Sequence, residues 1–137
     1  MAASSVTILC VDDEEIPRTL RKLILQKQGY QVVTAASGAE ALEMLDRANI
    51  DLVLSDQMMP GMTGTELTKS VKAMRPTMPV ILISGVNEIP ADASYADRFI
   101  SKVGGPELLF KSVVEVLTAY GHIDLSRMGM ESSSPGT

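Results

Sequence analysis

A small set of polar residues in this chain follows short apolar runs, and their types suit one kind of chemistry. Asp12 and Asp13 follow Val6–Val11, Asp56 follows Asp51–Ser55, Ser84 follows Pro79–Ile83, and Lys102 follows Arg98–Ser101. Clustered carboxylates repel one another and are costly unless a cation neutralises them. An all-oxygen donor set favours a hard ion, and Mg²⁺ suits a site of a few carboxylates, waters and a phosphate. A carboxylate beside such an ion can attack phosphorus and become an acyl phosphate. An ammonium such as Lys102 and a hydroxyl such as Ser84 would then stabilise charge on the peripheral phosphoryl oxygens.

The elements that must position these groups are readable from periodicity. Val6–Val11, Tyr30–Ala35, Asp51–Ser55, Pro79–Ile83 and Arg98–Ser101 are short, largely apolar runs that read as strands. Between them lie amphipathic stretches. Ile16–Gln28 has apolar Ile16, Leu20, Leu23 and Ile24 at helical spacing, with Pro17 tolerable in the first turn and Gly29 as the stop. Ser37–Glu40 and Thr63–Glu66 are capping-box patterns that open two further helices. Pro106–Tyr120 is a last helix with Leu108, Leu109, Val113, Val116 and Leu117 as its stripe. Regular alternation of strand and helix predicts a doubly wound α/β fold, a five-stranded parallel sheet with helices on both faces. In such sheets the functional crevice lies at the carboxyl ends of the strands, where all the residues named above fall.

Asp12-Asp13, Asp56 followed by Met59-Pro60-Gly61, Ser84-Gly85 and Lys102, in that order, resemble the receiver domains of response regulators in two-component signalling. The resemblance covers about residues 6 to 120 and implies the flavodoxin-like strand order 2-1-3-4-5. It implies that Asp56 is the phosphoacceptor, that Asp13 and Asp56 bind Mg²⁺ directly with Asp12 acting mainly through water, and that the backbone carbonyl of Met58 is a further ligand. Ser84 and Lys102 are each expected to bond a phosphoryl oxygen. Phe99 matches the family's aromatic switch residue, and it reads equally as a core aromatic. The implied donor is a phosphohistidine on a histidine kinase or phosphotransfer protein, and the output an unidentified protein target.

The sequence departs from that family in three places. Val103 stands where a proline in a cis bond usually follows the lysine. A cis bond before a non-proline costs about 2.5–4 kcal/mol, so a trans Lys102–Val103 bond is expected, with Gly104 and Gly105 absorbing the altered path. The stretch from Ser84 to Lys102 is about one helical turn short and contains Pro90, which predicts a truncated or irregular fourth helix between Asn87 and Tyr95. Met58 and Val86 are apolar where the family tunes water attack on the acyl phosphate, so slow autodephosphorylation is expected.

Composition bounds the rest. The chain has 137 residues, 45% of them hydrophobic, with net charge −5 and a single cysteine. That fits one domain, expected over residues 6–121, with a short arm at 1–5 and a Ser/Gly/Pro-rich tail at 122–137. Direct nucleic-acid binding is not expected of an acidic surface. No apolar run approaches the roughly 20 residues of a membrane span, and the lone cysteine points to the cytoplasm. Cys10 reads as packing, His122 as a surface residue after the last helix, and Arg18, Arg21, Lys22 and Lys27 as the solvated face of the first helix. Two other functions compete with a phosphorylation switch that is not itself an enzyme. One is a receiver-fold docking module with weak or no phosphorylation. The other is a phosphatase using Asp56, which lacks the second acid it would need because position 58 is Met.

Overall fold

The computed structural model describes residues 6–85 and 95–122. The expectations for the arm, the tail beyond His122, the fourth helix and Val86 lie outside those residues. Five strands, β1 (Thr7–Val11), β2 (Gln31–Ala35), β3 (Leu52–Asp56), β4 (Val80–Ser84) and β5 (Arg98–Ser101), form one parallel sheet in the order β2-β1-β3-β4-β5. The helices are α1 (Glu15–Lys27), α2 (Gly38–Arg47), α3 (Gly64–Met74) and α4 (Gly105–Ala119).

The period-2 alternation of each strand divides the core into two layers. Ile8 and Cys10 of β1 point toward Leu25 of α1 and Val113 and Leu117 of α4. Leu9 and Val11 point the other way, toward Leu45 of α2 and Leu67 of α3. The central strands β3 and β4 are buried along their whole length, which explains the apolar runs Leu52–Leu54 and Val80–Ile83 that precede their polar carboxyl ends. Cys10 is 1% exposed inside the first layer, and burial pushes its thiol up to about 12, so it packs and does not react. No helix among the described residues is long and apolar enough to cross a membrane.

Local chemistry sets the helix boundaries. Gly29 takes φ +97° after α1, where a side chain would be strained. At α3 the expected capping box is complete: Thr63 Oγ1 accepts from the Glu66 N–H and Glu66 Oε1 from the Thr63 N–H. At α2 half of it differs. Ser37 Oγ accepts from the Glu40 N–H, but Glu40 Oε1 accepts from the Ala36 N–H at 2.7 Å, one residue earlier.

One sequence expectation fails on α1. Of the apolar stripe Ile16, Leu20, Leu23 and Ile24, Ile24 packs against the core, but the other three are 80%, 57% and 52% exposed. The face that turns inward carries Arg18, Arg21 and Leu25, and Leu25 is fully buried. Arg18 and Arg21 are therefore not part of a solvated face: Arg21 pairs with the Asp12 carboxylate and Arg18 donates to the Asp12 backbone carbonyl.

Candidate functional site

Strand register builds the site. Val11 pairs with Ser55, so Asp12 and Asp56 emerge side by side at the carboxyl edge of the sheet. Asp56 pairs with Ile83 and Ser84 with Ser101, which brings Ser84 and the residue after β5, Lys102, to the same edge. The chain leaves β1 and β3 toward opposite sides of the sheet, and the crevice at such a switch point is where open α/β sheets bind ligands.

Asp12, Asp13 and Asp56 each place a carboxylate oxygen within 4.8 Å of the others. Asp12 and Asp56 are buried at 2% and 3% exposure, whereas Asp13 is exposed. Asp56 Oδ1 is fully buried and accepts no hydrogen bond of proper geometry among the described residues. Lys102 Nζ reaches it at 2.9 Å as an ion pair whose angles fall outside that geometry. Burial pushes the Asp56 carboxyl above its ordinary value; Lys102 pulls it back, the Asp12 charge adds to the rise and Arg21 subtracts. Hard oxygen donors, one of them a buried carboxylate oxygen met only by the Lys102 ammonium among the described residues, fit a divalent cation of the Mg²⁺ type. Asp13 and Asp56 are the side chains that would hold it directly, with the Asp12 carboxylate alongside.

The loop after β3 is fixed from several directions. The Gln57 N–H donates to the Ile83 carbonyl at 2.8 Å, and the Gln57 carbonyl accepts from the Gly64 N–H at 2.8 Å. Thr65 Oγ1 donates to Gln57 Oε1 at 3.0 Å in the buried interior. Gly61 supplies the positive φ (+83°) that lets the Met59-Pro60-Gly61 turn return the chain to α3. Met58 stands at this loop with its side chain 53% exposed, while Met59 is buried in the core.

Lys102 is aimed without the usual proline. The described residues contain no cis peptide bond, so Lys102–Val103 is trans as expected. Ser101 Oγ accepts from the Val103 N–H at 3.2 Å and starts a single 3-10 turn over Lys102–Gly104. Gly105 then takes φ +78°, and Pro106 sits in the first turn of α4. That turn performs the chain reversal, and the ammonium still meets Asp56.

Ser84 is 2% exposed at the end of β4, level with Ser101. Phe99 is partly buried against the layer that contains Leu67 and Leu82, consistent with a core aromatic at the start of β5. His122 is exposed, with Nδ1 3.6 Å from Asp51 Oδ1, far along the chain from the acidic pocket.

Sequence reasoning missed Arg21. Its Nη1 donates to Asp12 Oδ2 at 2.8 Å, with the two side chains 14% and 3% exposed. Arg18 Nη1 donates to the Asp12 carbonyl at 2.8 Å. The available signal was spacing, since 18, 21 and 25 recur at helical intervals around an apolar residue. Arg21 and Lys102 line one cleft of about 230 Å³ between α1, β5 and α4.

Comparison with known proteins agrees with this architecture. The family pattern described as "Response regulator receiver domain" matches residues 8–114. The chain is 36% identical to the transcriptional regulatory protein GlrR of Escherichia coli over 122 residues, covering 85% of this chain and 27% of that protein. It is 36% identical to the sensor kinase CckA of Brucella abortus, covering 84% of this chain and 13% of that one. It is 32% identical to the sensory transduction protein RegX3 of Mycobacterium tuberculosis, over 86% and 53%. The chain thus spans about half or less of the length of these curated relatives. Among solved structures, the response regulator TrrA of Thermotoga maritima in complex with Mg²⁺-BeF superposes with a TM-score of 0.77 at 33% identity, over 82% of this chain and 99% of that one. The Vibrio cholerae chemotaxis protein CheY4 gives 0.75 at 33% identity, over 82% and 98%.

Proposed function

This chain belongs to the response regulator receiver domain family, and from that premise we propose that it is a phosphoryl-accepting switch, phosphorylated on Asp56 by a partner phosphohistidine. The observation that carries the reading is the position of Asp56: buried at the end of β3, within reach of two further carboxylates and 2.9 Å from Lys102 Nζ. A bound Mg²⁺ would offset the carboxylate charge and stabilise that of the incoming phosphoryl group.

In the proposed step, a carboxylate oxygen of Asp56 forms a bond to phosphorus as the bond from phosphorus to the donor imidazole nitrogen breaks. The products are an aspartyl phosphate and a neutral imidazole, the latter taking up any proton it needs from solvent. Lys102 exchanges its contact with the free carboxylate for one with a phosphoryl oxygen, so its positive charge follows the negative charge it balances. Ser84, on the adjacent strand, supplies a hydroxyl donor at the same edge. Its movement toward the phosphate would leave space for Phe99 to turn inward, the switch reading of that residue. Nothing in this scheme needs turnover of a diffusible substrate, so the protein acts as a switch and not as an enzyme in the ordinary sense.

The exposed stripe of α1 supports the partner assignment. Ile16, Leu20 and Leu23 stand at helical spacing on the helix whose first turn adjoins the acidic pocket. A phosphohistidine-bearing helical protein packed on that stripe would bring its imidazole toward Asp56. The output is assigned to protein contacts and not to nucleic acid, given the net charge of −5. The cytoplasm is assigned as the compartment from the single cysteine, which can form no internal disulfide.

The test is incubation with Mg²⁺ and acetyl phosphate, followed by intact mass, with Asp56→Asn in parallel. One added phosphoryl group that vanishes in the variant is the expected result. No adduct at saturating Mg²⁺, with no binding of beryllofluoride, would overturn the reading in favour of a docking module.

A further inference from the structure

The acidic pocket already contains a cation that phosphoryl transfer does not call for. Arg21 reaches into it from the second turn of α1 and donates to Asp12 Oδ2 at 2.8 Å, while the Glu14 N–H donates to Asp12 Oδ1 at 2.9 Å. Both oxygens of Asp12 are thereby engaged within the protein. Arg18 adds a bond to the Asp12 carbonyl at 2.8 Å, fixing the backbone as well. Asp13 is exposed, and Asp56 Oδ1 has no aligned donor among the described residues. The three carboxylates therefore differ: one is held and neutralised, and two keep oxygens for a cation.

We infer that Arg21 is a built-in counter-ion that withdraws Asp12 from the divalent ion, leaving Mg²⁺ to Asp13 and Asp56 and lowering the affinity of the site. The inference rests on the receiver reading above. Its physical basis is charge. A guanidinium is weakly hydrated and presents a rigid fork of donors to a carboxylate, so it suits a buried pair. With Arg21 and Lys102 set against Asp12, Asp13 and Asp56, the pocket offers an incoming ion a net charge near −1 in place of −2. Arg21 is a positioning residue here, because it acts on the ion through Asp12 and through its field.

Two variants separate this from a plain structural role. In Arg21→Met the counter-ion is gone and Asp12 is freed. In Asp12→Asn/Arg21→Met the pair is replaced by a neutral pair, a change that buried ion pairs commonly tolerate. Mg²⁺ binding is measured by titration calorimetry on the full chain at pH 7 and low salt, alongside melting temperature in EDTA and in excess Mg²⁺. Arg21→Met is expected to bind Mg²⁺ about tenfold more tightly, the order that one unit charge about 6 Å from a divalent ion exerts when water screens it at a dielectric of about 80. Its melting temperature in EDTA should fall below wild type, with Mg²⁺ closing the gap. The double variant should bind Mg²⁺ within about threefold of wild type, because a cancelling pair contributes little net field.

Unchanged or weaker binding in Arg21→Met overturns the inference. So does loss of affinity beyond about tenfold in the double variant, which would make Asp12 a working ligand. If Arg21→Met does not fold, the double variant decides alone. Wild-type protein that binds no Mg²⁺ would overturn the receiver reading and this inference together, whereas normal wild-type binding with either contrary variant result overturns this inference alone.

Discussion

Replacing Gly64 by Ala should damage both stability and the loop that follows Asp56, although alanine is the better helix former. A methyl group built on Gly64 would lie 2.6 Å from the Asp56 carbonyl oxygen, 2.8 Å from Leu82 Cδ2 and 2.9 Å from Gln57 Cα. Two of those three atoms are backbone of β3 and its following loop, so no flexible side chain can move aside. The start of α3 must retreat, stretching the Gly64 N–H bond to the Gln57 carbonyl (2.8 Å) and the Thr65–Gln57 bond (3.0 Å). Overpacking of this kind costs about 1–3 kcal/mol, and a weakened buried hydrogen bond about 1 kcal/mol more. The helical preference for Ala over Gly, at most about 1 kcal/mol in a helix interior, recovers little at a first helical position. A net loss of about 2–3 kcal/mol corresponds to a melting temperature lower by roughly 10 °C for a domain of this size. Circular dichroism melts and urea midpoints measure the loss, and the rate of acetyl-phosphate labelling of Asp56 reads the loop. Gly38→Ala is the internal contrast. Its methyl would meet Met62 Sδ at 2.5 Å, the end of a flexible side chain, and should cost less. A Gly64→Ala protein melting within about 2 °C of wild type would refute the argument that the contact is rigid.

Asp56→Asn should raise the melting temperature in EDTA at pH 7. Burial raises the Asp56 carboxyl above its usual 3.8, so native stability declines as pH climbs through that raised value, and the amide escapes the loss. The advantage should shrink below pH 4, and a variant less stable than wild type at pH 7 would contradict it. Asp97→Asn should act in the opposite sense. Burial alone would raise the Asp97 carboxyl, but hydrogen bonds from Lys72 (2.8 Å), Tyr120 and the Val80 N–H (2.8 Å) together hold it below 3.8. Its contribution, on the order of 1–2 kcal/mol for such charge-assisted bonds, is present above pH 4 and disappears as pH falls through the lowered value. Urea midpoints from pH 7 to pH 3 should show the gap between wild type and variant closing, and a constant gap would count against this clasp. Met58→Asn should shorten the lifetime of the aspartyl phosphate several-fold, because an exposed amide can orient water where a thioether cannot. An unchanged decay rate by intact mass would exclude that role. Leu20→Ser should leave labelling by acetyl phosphate intact yet slow transfer from a phosphohistidine protein, and equal slowing of both would remove α1 as the docking face.

The sequence alone determined the alternation of strands and helices, and with it the sheet and the edge on which chemistry would gather. It did so because the signals are local: apolar runs of strand length, a complete capping box at Thr63–Glu66, Gly29 and Gly61 where positive φ is needed, and Pro106 in a first turn. The order Asp12, Asp13, Asp56, Ser84, Lys102 also carried the site, since each residue directly ends or follows a strand. Three matters waited for the tertiary structure. Helical periodicity marks two faces of α1 but not which one turns inward, and of the apolar stripe only Ile24 does. The buried carboxylate of Asp12 drew Arg21 toward the sheet, and the Asp12 backbone carbonyl drew Arg18. The aim of Lys102 could not be inferred once proline was missing, because a 3-10 turn and the positive φ of Gly105 restore it by a path that motif spacing does not encode. The unequal state of the three carboxylates was likewise invisible, for it depends on which cation from a distant part of the chain reaches each one. Local backbone preference writes the elements into the sequence, but long side chains choose partners by charge and distance, and those exist once the sheet has assembled.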